Sequence, residues 1–156
     1  MKYPRGVIIK PIGMDLICRF LDYNLTMTNS EITLYALIGN ETGLRSLVEH
    51  FYDIIDSAPE AARLRALHPK SLRQSREKFF MFLSGWTGGP QLYVEKFGHP
   101  RLRMRHSPFA IGITERDQWV WCMNKALDES NIDSRVVEYL KSRFAETADF
   151  LRNKEN

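Results

Sequence analysis

The chain has 156 residues, of which 44% are hydrophobic and 26% are charged, and its formal net charge is +3. This length and composition predict one soluble domain with a single core, and so small a charge gives little support for a polyanionic partner. No apolar run approaches the roughly 20 residues needed to cross a bilayer. Prolines and glycines interrupt the apolar N-terminal segment MKYPRGVIIKPIG, so we expect no signal peptide and a cytoplasmic location. Cys18 and Cys122 are too few for a disulfide framework, and we expect both to be reduced.

Helical periodicity extends over most of the chain, whereas the only β-branched run is the short VIIK near its start. We therefore predict an all-α fold, with an N-terminal extension over residues 1–30 and a helical domain over residues 31–156. The predicted helices cover residues 31–38, 42–57, a short piece near 64–67, 71–86, 92–97, a short segment from 100 to 106, a helix that follows Thr114, and 134–152.

Local signals predict several helix boundaries. Ser30 can cap the first helix and Gly39 can end it, while Pro90 can open the helix over residues 92–97. Thr114 with Asp117 resembles a capping box. We predict four apolar stripes that face the core, one on each long helix: Leu44, Leu47, Val48, Phe51 and Ile55; Leu72, Ser75, Phe79, Phe82, Leu83 and Trp86; Trp119, Cys122, Met123, Ala126 and Leu127; and Val137, Leu140, Phe144, Ala148 and Leu151.

His106 is the first candidate for chemistry. It shares a helix face with Leu102, and Pro108 prevents the short helix from continuing far beyond it. An imidazole that binds a metal is neutral and is oriented by a hydrogen bond from its other nitrogen. The free carbonyl groups of a last helical turn can accept such a bond. A surface histidine that interacts with the helix dipole explains the same pattern, and spacing alone favours that simpler interpretation.

Tyr52, His68 and Trp119 form a second set of candidates, because each has an apolar body and a hydrogen-bonding tip. Tyr52 lies at the edge of the second helix's stripe, and His68 should lie at a corner because it precedes Pro69. The three side chains could converge on a polar atom inside an apolar cavity. They could equally be ordinary amphipathic residues that bond to the backbone.

Other residues could surround a flat apolar cofactor or simply form core and surface. The apolar candidates are Phe79, Phe82, Leu83, Leu102, Phe109 and Met123. The basic candidates are Arg101, Arg103, Arg105, Arg73, Arg76 and Lys78. They could bind the carboxylates of a cofactor or the phosphates of a nucleic acid, or they could face only solvent. The chain lacks the Gly-rich nucleotide motifs, HExxH and CxxC, which makes a self-contained hydrolase a poor hypothesis.

From about Tyr35 to the C-terminal helix, the chain resembles the truncated haemoglobins, specifically their second group. The segments that carry the resemblance are YALIGNETGLRSLVEHFYDII, FFMFLSGWTGGPQLYVEKFGHPRLRMRHSPFAI and TERDQWVWCMNKAL. The succession GGP, GHPRLRMRH and PF is its most specific part. The resemblance implies a two-over-two helical sandwich around one haem b.

The resemblance also implies roles for individual residues. His106 becomes the proximal iron ligand, and Tyr52, His68 and Trp119 become distal residues that hydrogen-bond the ligand. His68 is also the candidate for a sixth iron ligand when no other ligand is bound. The remaining haem-site residues that we predict are Ser75, Lys78, Phe79, Phe82, Leu83, Tyr93, Leu102, Arg105, Phe109 and Met123.

The sequence departs from the family pattern at two places. Gly39-Asn40 stands where the family often has a Gly-Gly pair between its first two helices, which could alter that hinge. Ser75 stands on the distal helix, where many globins place a histidine, and a residue so small could leave an open path for ligands.

These observations predict a haem protein that binds O2, CO, NO or peroxide. Several donors around one ligand should slow its release, since each charge-assisted bond contributes roughly 1.5–3 kcal/mol. We therefore expect redox chemistry or sensing, served by a reductase that the sequence does not identify, rather than oxygen transport. The alternatives are a peroxidase-like or nitric-oxide-detoxifying haem enzyme, a haem-free helical module that binds nucleic acid, and a haem-free relative of the globins. We expect a monomer or homodimer without nucleic-acid or membrane partners.

Overall fold

The computed structural model describes residues 32–155, and within that range every regular element is helical. The all-α prediction is therefore confirmed for the described part of the chain. The elements are α1 Leu34–Ile38, α2 Asn40–Ser57, a 3-10 turn at Pro59–Ala61, α3 Ala62–Ala66, α4 Arg73–Trp86, α5 Leu92–Phe97, α6 Leu102–His106, α7 Ile113–Asp128 and α8 Ser134–Phe150. Over residues 32–155, none of these helices has the length and apolar character that a bilayer span requires. The VIIK run, Cys18 and the predicted Ser30 cap lie outside the described residues.

The four long helices form two stacked pairs. Helix α2 packs against α4, and α7 packs against α8. The pairs meet where α2 contacts α7 and where Trp86 of α4 stacks on Phe144 of α8, with ring centroids 5.1 Å apart. This arrangement is the predicted two-over-two sandwich, and the short helices α5 and α6 connect its two layers along the chain.

Three of the four predicted stripes face the core as expected. The stripe of α2 is fully buried, and Tyr52 and Ile54 are buried beside it. In α7 and α8 the stripes are buried except for Trp119 and Leu151, which are half-buried. Burial of such stripes is the main source of stability in a helical domain.

The predicted inner face of α4 is only partly correct. Phe80, Met81, Leu83 and Ser84 are the buried residues of this helix. The other predicted members on the helix itself, Ser75, Phe79, Phe82 and Trp86, are half-buried. Helix α4 is apolar over more than one face, so periodicity alone could not distinguish the side that packs on α2 from the side that remains partly accessible.

Two predicted helix starts are wrong. Helix α7 begins at Ile113, so Thr114 lies inside its first turn and forms no capping box with Asp117. Instead, the Glu115 carboxylate accepts a 2.9 Å hydrogen bond from the backbone N–H of Gly112. Pro90 does not occupy the first position of α5, because that helix begins at Leu92.

The turn between α1 and α2 depends on its glycines. Gly39 ends α1 with φ 105°, and Asn40 follows with φ 57°. Asparagine tolerates this left-handed conformation better than most residues, so it can stand where a second glycine is usual. Gly43 is required for a different reason, because a Cβ atom there would lie 2.0 Å from the carbonyl oxygen of Ile38.

We predict that Gly43→Ala destabilises the protein by about 1–3 kcal/mol, because the new methyl group forces the α1–α2 turn apart. The loss should occur although alanine is the better helix former. Ser46→Ala is the matched control, since Ser46 is an exposed residue of the same helix and alanine there adds no atom near the α1–α2 turn. Urea unfolding measures both free energies. Equal stability of Gly43→Ala and the wild type would contradict the close approach.

Candidate functional site

The His106 side chain is oriented by its own helix. His106 is the last residue of α6, and its Nδ1 lies 2.7 Å from the carbonyl oxygen of Leu102, one turn earlier. A carbonyl can only accept, so Nδ1 carries the proton, and Nε2 of the neutral ring carries the lone pair. Nε2 makes no hydrogen bond or ion pair with residues 32–155. The half-buried imidazole therefore presents a metal-binding nitrogen in a defined orientation.

Tyr52 lies in the core of α2 with 6% of its surface exposed. Its hydroxyl makes no hydrogen bond with the described residues, although buried tyrosine hydroxyl groups usually find a partner. Burial raises the pKa of this hydroxyl well above its usual range, and the nearby Arg76 guanidinium only partly opposes that effect. The group therefore stays protonated and remains an available donor.

His68 lies at the predicted corner that follows α3. Its Nδ1 donates to the carbonyl oxygen of Leu64 over 2.9 Å, which leaves the lone pair on Nε2. Partial burial lowers the pKa of His68, and the positive charge of Arg65 lowers it further, against the effect of the Leu64 bond.

Phe79 of α4 joins the predicted distal residues. Its ring centroid lies 6.1 Å from that of Tyr52 and 6.1 Å from that of Trp119. Tyr52 in turn contacts the His68 ring at 5.9 Å. The Trp119 indole N–H has no hydrogen-bond partner among the described residues. The structure thus brings Tyr52 and Trp119 together around Phe79 and places His68 beside Tyr52. Half-buried Ser75 lies one turn before Phe79 on the same helix.

A second group of predicted residues lies along α4, α5 and α6. Phe82 contacts the Tyr93 ring at 6.3 Å, and the Arg105 guanidinium lies 5.6 Å from the centre of that same ring. The Lys78 ammonium lies 5.7 Å from the centre of Phe97. Cationic and aromatic groups of this kind suit a flat cofactor with carboxylate substituents.

The remaining predicted haem-site residues differ in burial. Leu83 and Met123 are fully enclosed in the core, Leu102 is half-buried, and Phe109 is 43% exposed. The structure does not bring Phe109 into a ring contact with the distal residues within the described chain. Burial alone does not assign a role to any of these side chains.

Sequence reasoning missed two aromatic residues of the site. Phe51 was assigned only to the α2 stripe, but its ring contacts those of Tyr52, Phe79 and Trp119 at 5.1 to 5.4 Å. Phe97 was not selected at all, although its ring contacts that of Tyr93 at 5.0 Å. The position of Phe51 directly before Tyr52 was the available signal.

The basic cluster on α4 is partly neutralised. Arg76 donates to the backbone carbonyl of Glu49 at 2.8 Å and forms ion pairs with the carboxylates of Glu49 and Asp53. Arg45, Arg65 and Arg116 also pair with carboxylates. These arginines therefore hold helices together rather than form a continuous basic face for a polyanion.

The side chains present fit a haem. The chain offers an oriented imidazole lone pair, two unused donors beside a second imidazole, apolar and aromatic walls, and cations for the carboxylates. No group of three or more His, Cys, Asp or Glu residues within residues 32–155 could hold a metal ion directly. A single histidine of the protein is enough to hold a haem iron, because the porphyrin supplies four of the iron's ligands.

Comparison with known proteins agrees with this fit. The family model of the bacterial-like globins matches residues 33–153. The chain belongs to this family. Within it, the chain is 38% identical over 119 residues to the group 2 truncated haemoglobin YjbI of Bacillus subtilis, covering 76% of this chain and 87% of that protein. This globin is therefore identified with the second group of truncated haemoglobins, as its sequence predicted.

Solved structures show the same fold. A cold-adapted truncated haemoglobin from Pseudoalteromonas haloplanktis is 44% identical with a TM-score of 0.77, covering 79% of this chain and 99% of that one. A group II 2-on-2 haemoglobin from Agrobacterium tumefaciens is 41% identical with a TM-score of 0.79, covering 83% and 100%. Haem is the cofactor of this globin family. Members of the family bind small ligands such as O2.

Proposed function

We propose that this globin binds haem b through His106 and retains O2 tightly through Tyr52 and Trp119, for redox chemistry or sensing rather than oxygen transport. The observation that carries the proposal is the pair of unused donors. A buried tyrosine hydroxyl and a tryptophan N–H lie around the same phenylalanine, and neither has a partner within residues 32–155. Each hydrogen bond that these groups give to a partly charged ligand contributes about 1.5–3 kcal/mol.

On the proximal side, His106 would hold the cofactor. The haem iron, when bound, supplies the coordination position for O2 and other diatomic ligands. The bond from Nδ1 to Leu102 keeps Nε2 unprotonated and fixes the ring, so no reorientation is needed before iron binding. Lys78, Tyr93 and Arg105 would lie near the carboxylates, because cations bind such groups strongly.

On the distal side, the two donors and His68 have different roles. The Trp119 indole N–H can only donate, and the Tyr52 hydroxyl, which keeps its proton, can also donate to the ligand. Neutral His68 uses its proton on Leu64, so its Nε2 accepts a hydrogen bond or binds iron as a sixth ligand. We therefore prefer this second role for His68 to the donor role expected from the resemblance.

Two hydrogen-bond donors on one ligand favour slow release of O2. A protein that releases O2 slowly is poorly suited to bulk oxygen transport. A truncated haemoglobin from Bacillus subtilis, 36% identical with a TM-score of 0.71 over 78% of this chain and all of that one, is described as oxygen-avid. We extend that property to this globin. The reductase and the monomer or homodimer state remain predictions from the sequence.

We predict that His106→Ala loses haem during purification unless imidazole is supplied, because the other candidate ligand, His68, lies with the distal residues beside Tyr52. The ratio of Soret to protein absorbance measures haem content. His50→Ala is the matched control, since His50 pairs with Glu129 away from the distal ring cluster and should leave haem content unchanged. Full haem retention with wild-type spectra in His106→Ala would contradict the assignment.

We predict that Trp119→Phe releases O2 roughly ten- to a hundredfold faster, because it removes one donor worth about 1.5–3 kcal/mol and keeps the ring. Stopped-flow replacement of O2 by CO measures the rate. Trp121→Phe, two residues along α7 and 39% exposed, is the control and should behave as the wild type. If both variants match the wild-type rate, Trp119 does not belong to the distal set.

A further inference from the structure

We propose that Asn153, which follows the last helix, is a positioning residue for His106. This inference rests on the proposed role of His106 as the iron ligand. The C-terminal segment would then help to determine the strength of the bond between that histidine and the iron.

Helix α6 cannot hold His106 in place by itself. It has only five residues, none of them is buried, and no side chain caps its N-terminus. The residue before it, Arg101, has φ 45°, a conformation that is unfavourable for a side chain of that size. So short a helix is marginal in water, and its position must come from contacts with other elements.

Asn153 supplies such contacts on the C-terminal side of His106. Its side-chain Nδ2 donates to the backbone carbonyl of His106 at 3.2 Å and to that of Phe109 at 2.8 Å. Its Oδ1 accepts from the backbone N–H of Ile111 at 3.0 Å, and its own N–H donates to the carbonyl of Ile111 at 3.0 Å. One residue therefore makes four hydrogen bonds to the loop that leaves α6.

The C-terminal segment is itself anchored to the helices around it. The Arg103 guanidinium of α6 lies 5.1 Å from the centre of the Phe150 ring. Asp149 pairs with Arg116 of α7 and with Arg152. Asn153 thus connects the loop after α6 to the end of α8, an element that has a buried stripe in the core.

The two ends of His106 are consequently held by different partners. The Leu102 carbonyl holds the ring through Nδ1, and Asn153 holds the residue's own carbonyl. Loss of the Asn153 amide should leave the hydrogen bond between His106 Nδ1 and the Leu102 carbonyl intact. It should, however, let the backbone of His106 move relative to α8. A change of this kind alters the strength of the iron–histidine bond more than it alters the global fold.

The test uses the haem-loaded protein with Asn153→Ala and Asn153→Asp. Aspartate has nearly the same shape as asparagine, but it lacks the N–H group that donates to the backbone carbonyls of His106 and Phe109. Lys154→Ala is the control, because it keeps the backbone bond from residue 154 to Ile111 and removes only an exposed side chain. The readouts are the iron–histidine stretching band of the ferrous protein in resonance Raman spectra and the rate of haemin transfer to an excess of apomyoglobin.

We expect both Asn153 variants to shift or broaden the iron–histidine band and to lose haemin roughly tenfold faster, as is typical for residues that orient a metal ligand. Lys154→Ala should match the wild type, and far-ultraviolet circular dichroism should show unchanged helix content in all variants. An unaltered iron–histidine band in Asn153→Ala would overturn the inference even if its stability fell.

The same measurement separates this inference from the proposed function. If His106→Ala retains the wild-type iron–histidine band, His106 is not the ligand, and both proposals fail. If His106→Ala loses the band while both Asn153 variants keep it unchanged, the proposed ligand stands and only the role of Asn153 is wrong.

Discussion

The hydrogen bond from His106 Nδ1 to the Leu102 carbonyl determines which nitrogen of that ring can bind a metal. Without it, the imidazole would exchange between two tautomers and several orientations, and a large share of the molecules would present an N–H group instead of a lone pair. The 2.7 Å contact removes this freedom using the local geometry of one helical turn. The backbone of that turn has little packing of its own, so it depends on polar contacts from the C-terminal segment.

The opposite side of the site depends on aromatic packing that offers few acceptors. Phe51 and Phe79 surround the Tyr52 ring, and both also contact Trp119. Because these neighbours present ring atoms, they provide dispersion contacts but no acceptor for the hydroxyl or the indole N–H. Both donors therefore remain available to a ligand.

Much of this architecture could be predicted from local pattern. The stripes of α2, α7 and α8 predicted the core. The position of His106 at a helix end predicted that a free carbonyl of the last turn could orient its ring, but not which carbonyl. The inner face of α4 was predicted poorly because that helix is apolar on two sides. The four bonds of Asn153 could not be predicted, since they join residues as far as 47 positions apart, and periodicity carries no information about such contacts. The roles of Tyr52, His68 and Trp119 came from a family resemblance, because spacing alone favoured ordinary packing.

The central claim is that His106 binds the haem iron through Nε2 while its Nδ1 stays bonded to Leu102. The most direct test is a crystal structure of the haem-loaded ferrous protein. We expect an iron–Nε2 bond to His106, with Nδ1 about 2.7–3.2 Å from the Leu102 carbonyl oxygen. Iron bound by another side chain on the proximal side, or a His106 ring turned so that Nδ1 faces the iron, would contradict it.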